Sequence, residues 1–407
     1  NNFYFAPGTY VNTNGPLTIG AGNAAQLIAT GGASQTWLVA APTSRVVDAS
    51  LSAYYVRIEG FTITGGDVAS GYGGGVLFRN GGRGRLVDCV VTSNRTGTQF
   101  GGGVACADLI DRCTVSHNYA GQRAGGVYYA RRLVNSAVLS NEAVISGGGV
   151  WDSFGTNTVV AWNRSAGAAA IYSANASHAY SNMTVIANVT TNTVTSGQVH
   201  GGSFFNSTFA WNTNAGPMFG GTYLYSCVVA SNVSAGYGGA SIFSYQYSSV
   251  FNGNSGPANH SLFSSSYDML NCTVLNQGGA AYSVGMVQPK SDSVPLYNNL
   301  FVNCGTNIYR FNLAAVTGTN VGASLITNAF EFLPDDPPYR LPPDSPLIDA
   351  GSGDFVSYPF DLYGRDRTHL GGDPDIGATE WTATDLPPDN GAARKRRIIG
   401  LLFGKDN

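Results

Sequence analysis

One residue type recurs along the middle of the chain at a nearly constant interval. An asparagine returns every 20 to 25 residues, each after a short apolar run such as LVDCVVTSN, which ends at Asn94, or LYSCVVASN, which ends at Asn232. The repeated positions are Asn94, Asn118, Asn141, Asn163, Asn188, Asn212 and Asn232, with Asn254 one interval further on. This period is too short for a pair of helices, and the leucine-rich repeat has a leucine spacing that the chain lacks. The repeat therefore predicts a β-solenoid.

The fold class expected from the repeat is an all-β, right-handed parallel β-helix of about 12 coils. Its coils would stack about 4.8 Å apart, with alternate side chains pointing into a narrow core and residues at the same template position forming ladders. The asparagine would lie at a bend between strands, where it binds backbone and tolerates the left-handed conformation. Glycines such as those at 101–103 and 147–149 would provide positive φ or a close backbone approach.

Three regions differ in composition. Residues 1–329 carry the repeat and are predicted to form the β-helix, with Val56, Ile58, Phe61 and Ile63 pointing inward. Prolines and 13 carboxylates between Glu331 and Asp389 mark a closing segment at 330–381. Residues 382–407 form a basic, apolar tail.

Composition favours an exported protein. Charged residues make up only 11% of the chain, the 43% of hydrophobic residues fall in short runs, and no stretch approaches a membrane span. The first residue is not methionine, so we expect a mature or trimmed chain that is secreted to the cell surface or matrix. Cys89 and Cys113 share a template position one coil apart; they are predicted to be core thiols, with a disulfide as the alternative.

Several motifs resemble one family. APGTY and GFTITGG near the start, the GGGV and CxVxxN repeats, and the closing motifs SPLIDAG, DLYGRDR and PDIGATE are similar to secreted bacterial β-helix proteins of the pectate-lyase-like superfamily. The closing motifs resemble the branch whose C-terminal, choice-of-anchor segment ends in an Asp-Ile-Gly-Ala-x-Glu motif. The resemblance implies the fold over nearly the whole chain, whereas members of that superfamily include lyases, hydrolases and adhesins.

Catalytic residues are sparse. Cleavage of a polysaccharide on a β-helix needs paired carboxylates, or an acidic Ca²⁺ site with a basic residue. The region 153–267 contains neither Asp nor Glu, and Arg164 is its only Arg or Lys. We therefore predict no catalytic site, with Asp88, Asp111 and Arg112 as the weak alternative.

Cofactors are not expected, and five histidines show no metal-ligand spacing. The weak alternative is a Ca²⁺ site in the closing segment, formed from Asp361, Asp366, Asp373 or Asp375. Exposed aromatic residues would form a sugar-stacking face, and the candidates are Tyr128, Tyr129, Trp151, Trp162, Trp211, Tyr245 and Tyr247. Trp162 and Trp211 directly precede ladder asparagines, which favours a repeated packing position instead.

The tail suggests self-association. Open β-helix ends expose strand edges that pair readily with another chain. The predicted assembly residues are Arg394, Lys395, Arg396, Arg397, Ile398, Ile399, Leu401, Leu402 and Phe403. They would dock on the acidic closing segment of a neighbouring subunit, or fold back on their own chain. Nucleic acid is not expected as a partner because the net charge is −3 and there is no basic face.

Together these features favour a secreted, non-enzymatic structural or surface protein, and the tail favours a self-assembling fibre subunit. The alternative is a carbohydrate-active enzyme or glycan-binding module that acts through the N-terminal half on acidic polysaccharide.

Overall fold

The computed structural model describes residues 1–22, 24–175, 177–192, 197–235, 241–242, 244–256, 263–275, 287–289, 296–302, 325–327, 339, 341–342, 344–353, 358–367 and 373–380. Within these ranges the chain is all-β, and its strands pair in parallel as in a right-handed parallel β-helix. Contacts divide it into two units, Asn1–Gly202 and Ser203–Asn407. The predicted boundaries at 329 and 381 follow composition and stay predictions.

The coils of the first unit contribute short strands to sheets that we label A, B, D and C in chain order, and sheet D begins in the third coil. Sheet A contains Asn2–Phe5, Ala25–Ala29, Tyr55–Glu59, Arg83–Val87, Leu109–Asp111, Leu133–Val134, Gly155–Thr156 and Ala179–Ser181. Sheet B contains Gly8–Val11, Thr36–Val39, Thr62–Thr64, Val90–Thr92, Thr114–Ser116, Ala137–Leu139, Val159–Ala161 and Thr184–Ile186. Sheet C contains Leu17–Thr18, Val47–Ala49, Val76–Phe78, Val104–Ala105, Val127–Tyr128, Val150–Trp151, Ile171–Tyr172 and Val199–His200. The narrow sheet D contains Asp67–Val68, Arg95–Thr96, Tyr119–Ala120, Glu142–Ala143, Arg164–Ser165 and Val189–Thr190.

The second unit repeats this arrangement. Its sheet A contains Ser203–Phe205, Tyr223–Tyr225, Tyr245–Tyr247, Met269–Leu270 and Leu296–Tyr297. Sheet B contains Thr208–Ala210, Val228–Ala230, Val250–Asn252, Thr273–Leu275, Leu300–Val302 and Leu325–Thr327. Sheet C contains Phe219–Gly220, Ser241–Ile242, Phe263–Ser266 and Val287–Pro289, and sheet D contains Thr213–Asn214 and Val233–Ser234. Sheet A has eight strands in the first unit and five in the second. Its total of 13 strands is close to the predicted number of about 12 coils.

Ladders of like side chains fill the core. In the first unit, register stacks Ile58, Leu86 and Ile110 in sheet A, all fully buried, and aliphatic residues repeat in the same way in sheets B and C. The inward positions predicted at Val56, Ile58, Phe61 and Ile63 are confirmed. Phenylalanines fill the second unit, where Phe204 meets Phe209 edge to face at 5.3 Å.

The asparagine ladder holds successive coils together. Asn118 donates from Nδ2 to the Val91 carbonyl at 2.9 Å and to Asn141 Oδ1 at 3.0 Å, while its own backbone N–H donates to that same oxygen at 3.0 Å. The pattern repeats through Asn188 in the first unit and from Asn212 to Asn254 in the second. The predicted structural role is confirmed.

One detail of that prediction is wrong. The left-handed residue is the one before each asparagine, as at Ser93 (φ 56°), His117 (φ 54°) and Trp162 (φ 56°). The left-handed conformation turns the side chain of that residue outward, towards solvent. The side chain of the asparagine that follows it then points inward. Trp162 and Trp211 are consequently 38% and 47% exposed, and the packing role predicted for them is also wrong.

A second polar ladder lies at the turn between sheets A and B. Cys89 N–H donates to Cys113 Sγ at 3.4 Å, and Cys113 N–H donates to Ser136 Oγ at 3.1 Å. Both cysteines are buried and carry free thiols, as predicted for core ladder residues, and the alternative disulfide is absent between them.

The glycine clusters allow close backbone contact between coils. Gly101 has φ of 72°, and a Cβ on Gly102 would lie 2.3 Å from the Tyr119 carbonyl oxygen. Both reasons predicted for these glycines are confirmed.

Candidate functional site

The weak catalytic candidates form a surface ion cluster. Arg112 binds both oxygens of Asp88, at 2.8 Å from Nε and 2.8 Å from Nη2, and it also pairs with Asp111. Asn135 donates to Asp111 at 3.1 Å. The in-register partner of Asp88 in the next coil is thus Arg112, because Asp111 aligns with Val87.

The electrostatics of this cluster fit an ion pair. Hydrogen bonds from Arg112 hold the pKa of Asp88 below its usual value, so the carboxylate stays charged at neutral pH. A general acid in a glycosidase needs the opposite shift. The structure brings the three predicted residues together, and their chemistry is that of an exposed salt bridge.

A larger group of arginines lies on sheet A and on the turn that leads into it. Asp108 has three guanidinium neighbours, with N–O distances of 3.5 Å to Arg85, 3.7 Å to Arg131 and 3.4 Å to Arg132. The Asp108 side chain is only 12% exposed, whereas Arg131 and Arg132 are 70% and 53% exposed. One carboxylate therefore shares three positive charges, two of which face solvent.

Neighbouring coils extend this positive surface. Arg57 aligns with Arg85 in register and pairs with Glu59 at 2.7 Å, and Arg85 lies over the Tyr55 ring, 5.0 Å from its centroid. Arg79 and Arg83 are exposed in the same coil as Arg85. We call the set Arg57, Arg79, Arg83, Arg85, Arg131 and Arg132 the arginine face. Sequence reasoning missed this surface, although the Arg-Gly-Arg alternation in a strand places Arg83 and Arg85 on one face.

The two units differ in charge. Residues 1–202 contain 11 arginines, no lysine and 8 carboxylates, a formal charge of +3, whereas the remaining residues account for −6 of the total of −3. The arginine face thus belongs to the positive part of an acidic chain.

Aromatic residues form stacks along the solenoid surface. Trp151 is buried between Tyr172, stacked at 3.8 Å, and the Arg123 guanidinium, 4.7 Å from the ring centroid. Tyr245 stacks between Tyr223 at 4.4 Å and Tyr267 at 4.7 Å. Stacked rings cover each other's faces, and sugar rings bind to ring faces, so Trp151 and Tyr245 lack the free surface that the predicted stacking role requires.

The remaining candidates for sugar stacking differ in exposure. Tyr247 is 8% exposed and donates to Asp268 at 2.8 Å, and Tyr128 is half-buried beside Tyr129. Tyr129, Trp162 and Trp211 keep substantial exposed surface, and Tyr129 directly precedes the turn that carries Arg131. Of these three exposed residues, Tyr129 is the one close in sequence to the arginine face.

Ser173 and His178 of one turn meet Asp152 of the preceding coil, but the three do not form a relay. Ser173 Oγ lies 2.8 Å from His178 Nδ1, and Asp152 Oδ1 lies 3.8 Å from that same nitrogen. A proton relay needs the two partners on opposite ring nitrogens. Burial lowers the pKa of His178, so the imidazole is neutral at pH 7 and the group is polar packing beside Phe154.

The closing segment packs along the outer face of sheet B in the second unit. Leu347, Leu362 and Ile376 form one buried cluster with Val250 and Leu300. Polar contacts fix its position: Ser226 Oγ donates to the Asp361 carbonyl at 2.7 Å, and Ala378 N–H donates to Thr273 Oγ1 at 2.8 Å. The three closing motifs, SPLIDAG, DLYGRDR and PDIGATE, thus attach the closing segment to the solenoid.

The predicted Ca²⁺ alternative involves carboxylates with different surroundings. Asp361 is fully buried and accepts hydrogen bonds from four donors, including Arg365 Nε at 2.7 Å. Asp375 is buried and accepts from the Asp349 N–H at 2.8 Å, whereas Asp373 is exposed. No group of three or more metal-ligating side chains is gathered among the residues that the structure describes. The Ca²⁺ alternative, which also names Asp366, stays a prediction.

The predicted assembly residues 394–403 lie outside the described residues, so tail docking also stays a prediction. Within the described ranges, the structure contains no helix that is both long enough and apolar enough to span a membrane.

Comparison with known proteins gives a distant structural likeness. No family model matches the chain, and no curated protein matches it. Among solved structures it is similar to the crystal structure of pectate lyase Pel9A, with 15% sequence identity and a TM-score of 0.32. That match covers 94% of this chain and 88% of the other.

Proposed function

We propose that the protein is a secreted structural protein that binds acidic polysaccharide through the arginine face of its first unit. The observation that carries this proposal is the position of Asp108, which is shared by Arg85, Arg131 and Arg132. Because one carboxylate cannot neutralise three guanidinium groups, the surface keeps positive charge that a polyanion would neutralise.

The chemistry of arginine supports this class of ligand. A guanidinium group presents a planar set of donors that matches a carboxylate or sulfate in bidentate geometry. Arg131 and Arg132 project into solvent at adjacent positions, and Arg57 and Arg85 stack in successive coils at the rung spacing of the solenoid. A chain with regularly spaced anionic groups would contact several of these arginines at once.

A binding measurement tests the proposal. We expect polygalacturonate to bind the protein at low ionic strength and the neutral polymer dextran not to bind. Replacing Arg131 and Arg132 with alanine should weaken binding by about twofold to thirtyfold, since each exposed ion pair contributes roughly 0.2–1 kcal/mol. Added salt should reduce the difference by screening.

The matched control is Arg164→Ala, which removes an exposed arginine from sheet D of the same unit. Equal losses in the control and the double variant would contradict a localised site and indicate general charge attraction. Release of shortened uronate chains that disappears in Asp88→Ala and Asp111→Ala would instead favour the enzymatic alternative.

The second candidate is a self-assembling fibre subunit, and the sequence of the tail favours it. Arg394, Lys395, Arg396 and Arg397 precede the apolar IIGLLFG, and the second unit that would receive them is acidic. Electron microscopy of the full chain beside a form that ends at Glu380 tests this candidate. Filaments that vanish on truncation would support it, and short particles in both samples would rule it out.

A further inference from the structure

Arg123 of the first unit is held between aromatic rings of two neighbouring coils. It lies in the turn that joins Tyr119–Ala120 of sheet D to Val127–Tyr128 of sheet C. The carbon of its guanidinium group is 5.6 Å from the centre of the Phe100 ring in the preceding coil and 4.7 Å from that of the Trp151 ring in the following coil. These contacts fix the plane of the guanidinium group.

Arg123 has no counterion among the residues that the structure describes. Arg57 of the same unit pairs with a carboxylate, and Arg95 and Arg164 are exposed, so water hydrates their charge. Arg123 is only partly exposed, its Nε atom is enclosed without an acceptor, and its terminal nitrogens reach the surface. Contact with aromatic rings compensates only part of the hydration that such a cation loses. An anion at the terminal nitrogens would therefore balance the charge.

Apolar side chains in the same row of turns flank this cation. In four successive coils, the turn from sheet D to sheet C carries Tyr72, Phe100, Arg123 and Ile145, a set that we call the Arg123 row. Tyr72 is 39% exposed and contacts the Phe100 ring at 5.5 Å. Ile145 is 45% exposed, and its N–H donates to the Gln122 carbonyl at 2.7 Å, directly beside Arg123. Successive coils lie about 4.8 Å apart, so the row places one positive charge between apolar groups along the solenoid.

We propose that the Arg123 row binds a uronate unit of an acidic polysaccharide, as a second anchor on a different sheet from the arginine face. The inference takes its class of ligand from the proposed function. The two terminal nitrogens of Arg123 donate to the carboxylate in the plane of the guanidinium group. Because the rings already hold that plane, little further ordering is needed when the ligand binds.

The surroundings of the guanidinium group favour a sugar acid over a simple carboxylate. A uronate combines a carboxylate with an apolar C–H face, and the exposed surfaces of Tyr72 and Ile145 offer that face a partner on either side of Arg123. A simple carboxylate would use the guanidinium group alone. With one anchor on sheet C and the arginine face on sheet A, a single molecule would hold two polysaccharide chains, as a structural protein of a matrix requires.

Nuclear magnetic resonance of the full chain, labelled with a nitrogen isotope, tests the site directly. The reporter is the Nε–H of Arg123, which is enclosed and is assigned by its absence in Arg123→Met. At low ionic strength, trigalacturonate should shift this signal in a saturable way. The neutral galactose trisaccharide should leave it unchanged, and acetate should shift it only at much higher concentration.

Two variants identify the chemistry by calorimetry with trigalacturonate, in the background of Arg131→Ala and Arg132→Ala so that the arginine face contributes little. Arg123→Met still fits between the rings but has no charge, and Arg123→Lys keeps the charge but loses the planar donors. Each should weaken binding by about tenfold, since hydrogen bonds to charged groups are lost. The matched control is Arg95→Met, at an exposed arginine 4.9 Å from the Tyr119 ring, which should change affinity by less than about twofold.

The possible failures can be told apart. An Arg123 signal that ignores trigalacturonate, or that responds equally to the neutral trisaccharide or to acetate, would overturn the site whether or not the variants fold. Equal losses in Arg123→Met and Arg95→Met, or full affinity in Arg123→Lys, would also overturn it. Failure of the arginine face appears separately, as polygalacturonate binding that does not depend on Arg131 and Arg132 while the Arg123 signal still responds.

Discussion

Removing one rung of the asparagine ladder tests how the coils are held together. Asn141→Ala deletes two donated hydrogen bonds, from Nδ2 to the Val115 carbonyl at 2.9 Å and to Asn163 Oδ1 at 3.0 Å. It also removes the oxygen that accepts from the N–H and the Nδ2 of Asn118, both at 3.0 Å. All of these groups are buried, so each loses its partner away from bulk water.

The magnitude follows from that count. A typical buried hydrogen bond contributes about 1 kcal/mol net, and each partner left unsatisfied costs about 1–3 kcal/mol. Four lost bonds therefore predict a destabilisation of roughly 4 kcal/mol, which is a large share of the stability of a typical domain. The matched control is Asn135→Gly, at an exposed position where φ of 51° suits glycine, and it should cost less than about 1 kcal/mol.

Hydrogen exchange is the appropriate assay because a solenoid unfolds by neighbouring repeats and a single unfolding transition is not assured. The amides of the coils on both sides of residue 141 should lose protection in Asn141→Ala, and amides several coils away should change little. Equal effects of Asn141→Ala and Asn135→Gly would refute the reasoning, since the buried ladder would then contribute no more than surface contacts.

Two other substitutions probe the core directly. Gly102→Ala should destabilise the protein by more than about 2 kcal/mol, because the new Cβ would lie 2.3 Å from the Tyr119 carbonyl oxygen. Thermal unfolding measures the effect, and Gly22→Ala, which has open space around it, is the control. Cys113→Ser should cost less than Cys113→Val in urea unfolding, although valine is the more apolar, because serine still accepts the N–H of Cys89 and valine leaves it unpaired at a cost of about 1–3 kcal/mol. The opposite order would show that this ladder stabilises through packing alone.

Sequence periodicity was sufficient for the fold and for the asparagine ladder, because both depend on residues that repeat once per coil. It misplaced the left-handed residue by one position, since a repeat cannot show which of two adjacent residues bends the backbone. Trp162 shows the consequence. Its position before a ladder asparagine suggested a packed side chain, but Trp162 is the left-handed residue, and its side chain points outward.

The contacts of the closing segment were beyond prediction for a different reason. Ser226 binds the Asp361 carbonyl across 135 residues, and Arg367 binds Ser248 across 119. Such pairs recur only once, so no periodicity marks them. The arginine face was predictable only in part. Its arginines can be read from the sequence, but their proximity depends on the register between coils of unequal length.

Unequal coil lengths have an evolutionary consequence. Ladder hydrogen bonds of 2.9–3.0 Å join Asn163 to Asn188 across 25 residues and Asn212 to Asn232 across 20. Each junction thus depends on the identity of a few template residues and hardly on the length of chain between them. Unequal recombination that duplicates or deletes a whole coil would leave every remaining junction chemically unchanged. Genes for such chains can therefore change in length by whole coils while each intermediate protein still folds, and the surface loops can diversify independently of the ladder.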